Sequence, residues 1–194
     1  LKADVSRACL DAGASIINDI SGFRKDPELP HVVRDYGAGC VLMHMRGTPA
    51  VMQEFADYGN LINEVINEIS ESVQRALDAG IARESIVIDP GIGFAKNTHH
   101  NCELINHISA FHSLGFPLLV GPSRKSFIGT VLNADNPKNR IWGTAGAVAV
   151  ACYNGAQIVR VHDVEEMSDI VRIVHAIRSD GKFFNARMHY EADS

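Results

Sequence analysis

An α/β fold built on five parallel strands, part of a TIM-type (β/α)8 barrel, is what this sequence predicts. Two observations carry the prediction. First, five short apolar runs each finish in polar or charged residues: 16–20 (IINDI), 41–44 (VLMH), 86–94 (IVIDPGIGF), 118–126 (LLVGPSRKS) and 158–163 (IVRVHD). A strand apolar on both faces is buried on both faces, as in a parallel sheet covered by helices. Second, helical patterns separate the runs, whose starts fall roughly 25–45 residues apart, the scale of successive βαβ units. An open parallel sheet could also hold five strands. The barrel is favoured because chemically able side chains end all five strands and not only those beside one crevice. Eight strands close such a barrel, so three further β–α units are expected to lie outside this chain.

The elements follow in order. Residues 2–12 read as a helix stopped by Gly13, a natural left-handed stop. Residues 27–36 read as a short helix ending at Gly37. The clearest helix is 60–79, where Leu61, Ile62, Val65, Ile66, Ile69, Val73 and Leu77 form the apolar stripe. Glu64, Glu68, Glu71 and Arg75 lie off it, and Gly80 ends it. A further helix is expected over 101–114, closed by Gly115, and a short one over 127–132. The stretch 140–153 is rich in Gly and Ala and reads as a tightly packed helix. The last helix spans 163–178, with Asp163 as its cap and Glu166 at the capping-box position. The segments 45–59 and 125–139 are long enough to suggest functional loops. No linker or low-complexity stretch divides the chain, so one domain is expected over 1–194.

Composition narrows the function classes. The chain has 194 residues, 46% hydrophobic and 21% charged, with a net charge of −5. It has no run of Lys and Arg, which argues against a nucleic-acid or anionic-membrane surface as main partner. Any anion site must be local. The cysteines, Cys9, Cys40, Cys102 and Cys152, form no C-x-x-C pair, and a reducing cytoplasm is the expected setting. No apolar run is long enough to span a membrane.

The strand ends supply the chemistry. Asn18 and Asp19 are adjacent on a strand and must point to opposite faces. Asn18 is taken to look into the barrel mouth and Asp19 to pin a loop. His44 ends the second strand and reads as a packing or loop-anchoring residue in preference to a metal ligand. Asp89 is delivered by an apolar strand into Pro90-Gly91-Ile92-Gly93, where glycines permit close backbone approach. Its carboxylate could grip a guanidine-like edge with paired hydrogen bonds. The turn at 121–126 (GPSRKS) lacks the phosphate-loop spacing, yet Lys125 and Ser126 at a helix start suit a carboxylate, a phosphate or a polarised carbonyl. Arg160 and His162, two apart on one face, suit a phosphate clamp. The remaining histidines follow no metal-ligand spacing.

These residues, in this order, resemble the bacterial dihydropteroate synthases: IINDI, LMHMRGTP, DPGIGFAKN, GPSRKSFIG and RVHDV. SRKS with RVHDV is the specific part, since the DPG and ND strand ends are shared more widely by pterin-binding barrels. The resemblance runs over most of the chain. It implies a cytoplasmic transferase of folate synthesis, the target of sulfonamides. The reaction joins 6-hydroxymethyl-7,8-dihydropterin pyrophosphate to p-aminobenzoate and releases pyrophosphate and 7,8-dihydropteroate. By motif, Asn18 and Asp89 would bond the pterin edges and Lys125 its carbonyl side. Arg160 and His162 would hold the pyrophosphate, and Ser126 would face the p-aminobenzoate carboxylate. Catalytic weight falls on Lys125, Arg160 and His162. Mg²⁺ is implied as cofactor, bound by an Asn of a preceding segment and by no residue of this chain. A homodimer is implied for the intact protein.

Two other readings compete. A pterin-binding methyltransferase, passing a methyl group from methyltetrahydrofolate to a corrinoid protein, would share the Asn and Asp grip but would not need SRKS or the Arg-x-His clamp. A truncated, non-catalytic pterin binder is the other. The family's first three strands and their loops are not in this sequence, so the chain alone is expected to have little or no synthase activity.

Overall fold

In the computed structural model, which describes residues 2–181, helices alternate with five short parallel strands. They are β1 (Ile16–Asp19), β2 (Gly39–Met43), β3 (Ile86–Asp89), β4 (Leu119–Val120) and β5 (Ile158–Val159). The helices are α1 (Ala3–Asp11), α2 (Leu29–Asp35), α3 (Leu61–Asp78), α4 (Thr98–Asn106), α5 (Ser126–Leu132), α6 (Ile141–Tyr153) and α7 (Val164–Arg178). β1, β2 and β3 form one parallel ladder and β4 and β5 another. A parallel bridge between Ile88 and Leu118 joins them, with the Ile88 N–H donating to the Pro117 carbonyl at 2.9 Å. Spatial order therefore follows chain order from β1 to β5. A doubly wound sheet reverses its order at a switch point; this one does not, and its order is that of a barrel wall.

Register sorts the side chains into two faces, because residues paired in a parallel ladder point the same way. Asp19, Leu42 and Ile88 share the outer face. Leu42, Ile88, Leu118 and Val120 are fully buried there. Among the helices behind them, α3 buries Leu61, Val65, Ile69, Val73 and Ala76, the stripe read from the sequence. The opposite, inward face carries Ile16 and Asn18, then Val41 and Met43, then Val87 and Asp89. Leu119 pairs with Ile158, and Arg160 follows two residues later on the same side. The inward face is covered in the middle, where Val41 and Met43 are buried, and open at the two outermost strands, where Ile16 is 62% and Ile158 39% exposed.

Two expectations about helices are corrected. The helix expected over 101–114 is two elements. α4 starts earlier because Asn97 caps it: the Asn97 side chain accepts the His100 N–H and His100 answers the Asn97 N–H. α4 stops at Asn106, and Ile108–Leu114 continues as a 3-10 helix up to Gly115 in the left-handed conformation. Asp163 precedes α7 but makes no capping bond, and no capping box with Glu166 forms. Its carboxylate is taken by the Arg124 guanidinium instead, a charge-assisted fork stronger than one bond to a backbone N–H.

Candidate active site

The carboxyl ends of the strands gather the residues singled out in the sequence on one side of the molecule. β1 settles the division between Asn18 and Asp19. Asp19 is buried on the outer face and pins the following turn, accepting the Ser21 hydroxyl at 2.6 Å and the Phe23 N–H at 2.7 Å. Asn18 points inward and is exposed. Gly22 at φ +59° completes that turn, because a Cβ there would lie 2.4 Å from the Ser72 hydroxyl of α3.

β3 delivers Asp89 to the same inward face. Its carboxylate is buried and accepts the Gly91 N–H at 2.7 Å, folding the strand end back on itself. Gly91 (φ +71°) lies against β2: a Cβ would be 1.9 Å from the His44 carbonyl oxygen. Burial pushes the Asp89 carboxyl up, and the Gly91 N–H, Lys125, Lys96 and Arg160 oppose that push. These cations come from three different elements, so the tertiary fold assembles the cluster.

The turn after β4 supplies Lys125. Arg124 sits at φ +57°, a costly conformation for a side chain with a Cβ. Three contacts hold it: its N–H on Thr144 Oγ1 at 3.0 Å, its carbonyl taken by Arg140 at 2.9 Å, and its guanidinium on Asp163. The turn aims Lys125 at the β3 loop, where its ammonium donates to the Ile92 carbonyl and lies 4.7 Å from the Phe94 ring centroid. Gly93 leaves it room, since a Cβ would be 2.8 Å from Lys125 Cδ. Burial lowers the Lys125 ammonium to about 8, with Asp89 opposing and Arg160 adding to the shift. Ser126 is the first residue of α5 and exposed.

β5 contributes Arg160 and His162. The Arg160 N–H continues the ladder onto the Val120 carbonyl at 3.1 Å. A Cβ on Gly121 would be 3.8 Å from Arg160 Cβ, so the two strand ends meet with no side chain between them. The Ser123 hydroxyl accepts the His162 N–H at 3.2 Å and lies 2.9 Å from His162 Nδ1. A hydroxyl has one proton to give. When that proton goes to Nδ1 of the neutral ring, Nε2 carries the ring proton.

Three participants escape a reading by sequence alone. Lys96 is only 3% exposed, and its ammonium reaches His44 Nδ1 and the Phe94 carbonyl, each at 2.9 Å. His44 Nε2 lies 3.1 Å from Glu68, which also takes Arg46 at 2.5 Å and Arg24 at 3.3 Å. Glu68 thus belongs to a charge network and not to a solvated face. Ser123 is the third. A lone lysine inside a glycine-rich, otherwise apolar turn was the available signal for Lys96. His44 is an anchoring residue, as read from the sequence.

Among the described residues, no group of three His, Cys, Asp or Glu side chains could hold a metal ion. The Asp89 carboxylate is engaged by Gly91 and flanked by cations, a poor oxygen donor for Mg²⁺, which asks for near-octahedral oxygen ligands. These residues do not fit a magnesium centre of their own.

A partial α/β barrel thus brings a buried carboxylate and the cations around it to the carboxyl ends of its parallel strands. The chain belongs to the pterin binding enzyme family, whose profile matches residues 1–162. Within that family its likeness is to dihydropteroate synthases. The enzyme of Synechocystis sp. is 47% identical over 176 residues, covering 91% of this chain and 61% of the relative. The solved dihydropteroate synthase of Yersinia pestis with a sulfonamide drug complex superposes with a TM-score of 0.88 at 40% identity, covering 92% of this chain and 65% of that one. That of Thermus thermophilus in complex with 6HMPPP gives 0.86 at 34% identity, covering 91% and 70%. The chain thus spans about three-fifths of the length of the first curated relative it matches.

Proposed function

We propose that the protein carrying this chain is a dihydropteroate synthase, and that the inward strand ends described above hold its pterin pyrophosphate. The observation that carries the reading is the placement of Asp89, Lys125 and Arg160 at the ends of three successive strands, close enough to perturb one another's charge. Asp89 offers a carboxylate to the guanidine-like edge of a pterin, and Asn18, on the same face, an amide to its other edge. Lys125 donates to the pterin carbonyl side. Arg160 and the His162 Nε2–H take the pyrophosphate, and Ser126 faces the p-aminobenzoate carboxylate.

The chemistry then follows from placement. The bond between the pterin methylene carbon and the pyrophosphate oxygen breaks, and negative charge builds on the leaving group. Arg160 and His162 are fixed donors for that charge, and fixed donors need no reorganisation at the moment of reaction. The aryl amine forms the new carbon–nitrogen bond and loses a proton. Nothing here requires a protein nucleophile; the gain is from orientation and charge stabilisation. Mg²⁺, as partner of the pyrophosphate, belongs in this proposal to parts of the protein beyond the residues described, and no step is routed through it. We place the protein in the cytoplasm, with four free cysteines, and as a homodimer. The exposed Trp142, Val150 and Tyr153 of α6 suit cover by a second copy.

The test is a pyrophosphate-release assay on the protein that carries this chain, with the pterin pyrophosphate and p-aminobenzoate together and apart. Release that needs both substrates, and that is lost in Arg160→Ala, is the expected result. Methyl transfer from methyltetrahydrofolate without pyrophosphate release would overturn the reading in favour of the methyltransferase.

A further inference from the structure

The described site leaves one buried charge without a task. Lys96 lies in the loop after β3, and its ammonium is among the least exposed charged groups of the protein. Burying a charge is expensive unless it is compensated. The loop has other ties besides the Lys96 bond to the Phe94 carbonyl. Asn101 already ties that loop, accepting the Gly93 N–H at 2.6 Å and donating to the Asn97 carbonyl at 2.7 Å, while Asn97 and His100 cap α4.

The partners of Lys96 have a direction. An ammonium has only protons to give, so His44 Nδ1 accepts and His44 Nε2–H donates to Glu68. Glu68 is held from the other side by Arg46 and Arg24. At the near end, a Cβ on Gly91 would lie 3.5 Å from the Lys96 nitrogen, and the Gly91 N–H is the one bonded to Asp89. Lys96 therefore sits against the Asp89-Pro90-Gly91 turn.

We propose that Lys96 is a positioning residue for Asp89, an ammonium pinned against the Asp-Pro-Gly turn by His44 and the Phe94 carbonyl that fixes the carboxylate charge where a ligand edge must meet it. The purpose given to that charge rests on the pterin reading above; the coupling itself does not. The charged groups around the pair come from several elements, with the His44 ring against Lys96 itself. Asp89 is faced by Lys125 from the β4 turn, Arg160 from β5 and Lys96 from its own loop. Lys96 is faced by Asp89, by Glu68 of α3, by Lys125, and by Arg46 from the loop after β2. Burial alone would favour the neutral form of both partners. Each favours the charged form of the other, so they titrate as a linked pair.

The experiment is a carbon-13 NMR titration of the Asp89 carboxyl in the folded chain and in Lys96→Met and Lys96→Arg. A nearby opposite charge favours the ionised carboxylate. The Asp89 midpoint should rise in Lys96→Met and stay near its original place in Lys96→Arg. An unmoved midpoint in folded Lys96→Met overturns the proposal. Should that variant not fold, the nitrogen-15 titration of Lys96 in Asp89→Asn decides: a lowered Lys96 midpoint supports the coupling, and an unchanged one overturns it. Pterin affinity at neutral pH should fall in Lys96→Met and return in Lys96→Arg. The titrations need no pterin, so absence of pterin binding by the unsubstituted protein speaks against the function proposed above and not against the coupling.

Discussion

Asp89 and Lys125 lie where the chemistry concentrates, and the cost of losing either follows from their surroundings. Hydrogen bonds to charged groups contribute roughly 1.5–3 kcal/mol. Asp89→Asn and Lys125→Ala should therefore each weaken pterin binding about tenfold to a hundredfold, read from pterin fluorescence. His44 makes a second prediction at this scale. Burial, with Lys96 close by, lowers its pKa to about 4, and the Glu68 bond opposes this only in part. A histidine lowered on folding gives its full stability above the ordinary imidazole pKa of about 6.5 and loses it as pH falls towards 4, because the unfolded chain binds the extra proton there. Urea midpoints should drop across that window, by on the order of 3 kcal/mol in total. A flat profile would contradict it. The strand-end placement of Asn18, Asp89, Lys125, Arg160 and His162 was legible because each ends an apolar run or turn in plain view. Lys96 was not, since its partners, His44 and Glu68, are distant in sequence and a single lysine carries no sign of what surrounds it.

The turn after β4 and the middle strands show what the elements must do for the site. Arg124 holds a strained backbone so that Lys125 can point inward, and buried Thr144 of α6 accepts its N–H. Thr144→Val keeps the shape and removes that acceptor. It should cost about 1–3 kcal/mol in urea unfolding, the penalty of a buried unpaired donor. Ile88, fully buried at the joint between the two ladders, should cost about 2–5 kcal/mol when cut to alanine. The strands and α3 could be read from apolar runs and a helical stripe, because those patterns are local. The break within 101–114 could not. A histidine serving as the capping partner of Asn97, and a change from α to 3-10 winding at His107, leave little mark on hydrophobic spacing. The role of Asp163 was misread for a related reason, because its partner Arg124 lies 39 residues away.

At the scale of the molecule, strand order separates a barrel from an open sheet. The chain-order sequence β1 to β5, closed by the Ile88–Leu118 bridge, was foreshadowed by polar residues at every strand end. The exposure of Ile16 and Ile158 shows an inward face walled by only part of a barrel, as a chain covering three-fifths of its relative's length would give. On the proposed function, condensation is the activity of the protein that carries this chain, and pterin binding is expected at the strands present. That separation makes binding the most direct test. Calorimetric titration of the folded chain with 6-hydroxymethyl-7,8-dihydropterin pyrophosphate, beside Asp89→Ala and Lys125→Ala, should show saturable binding that both substitutions weaken. Binding indifferent to both substitutions, or none at all by a folded chain, would contradict the placement of the pterin on β3 and the β4 turn.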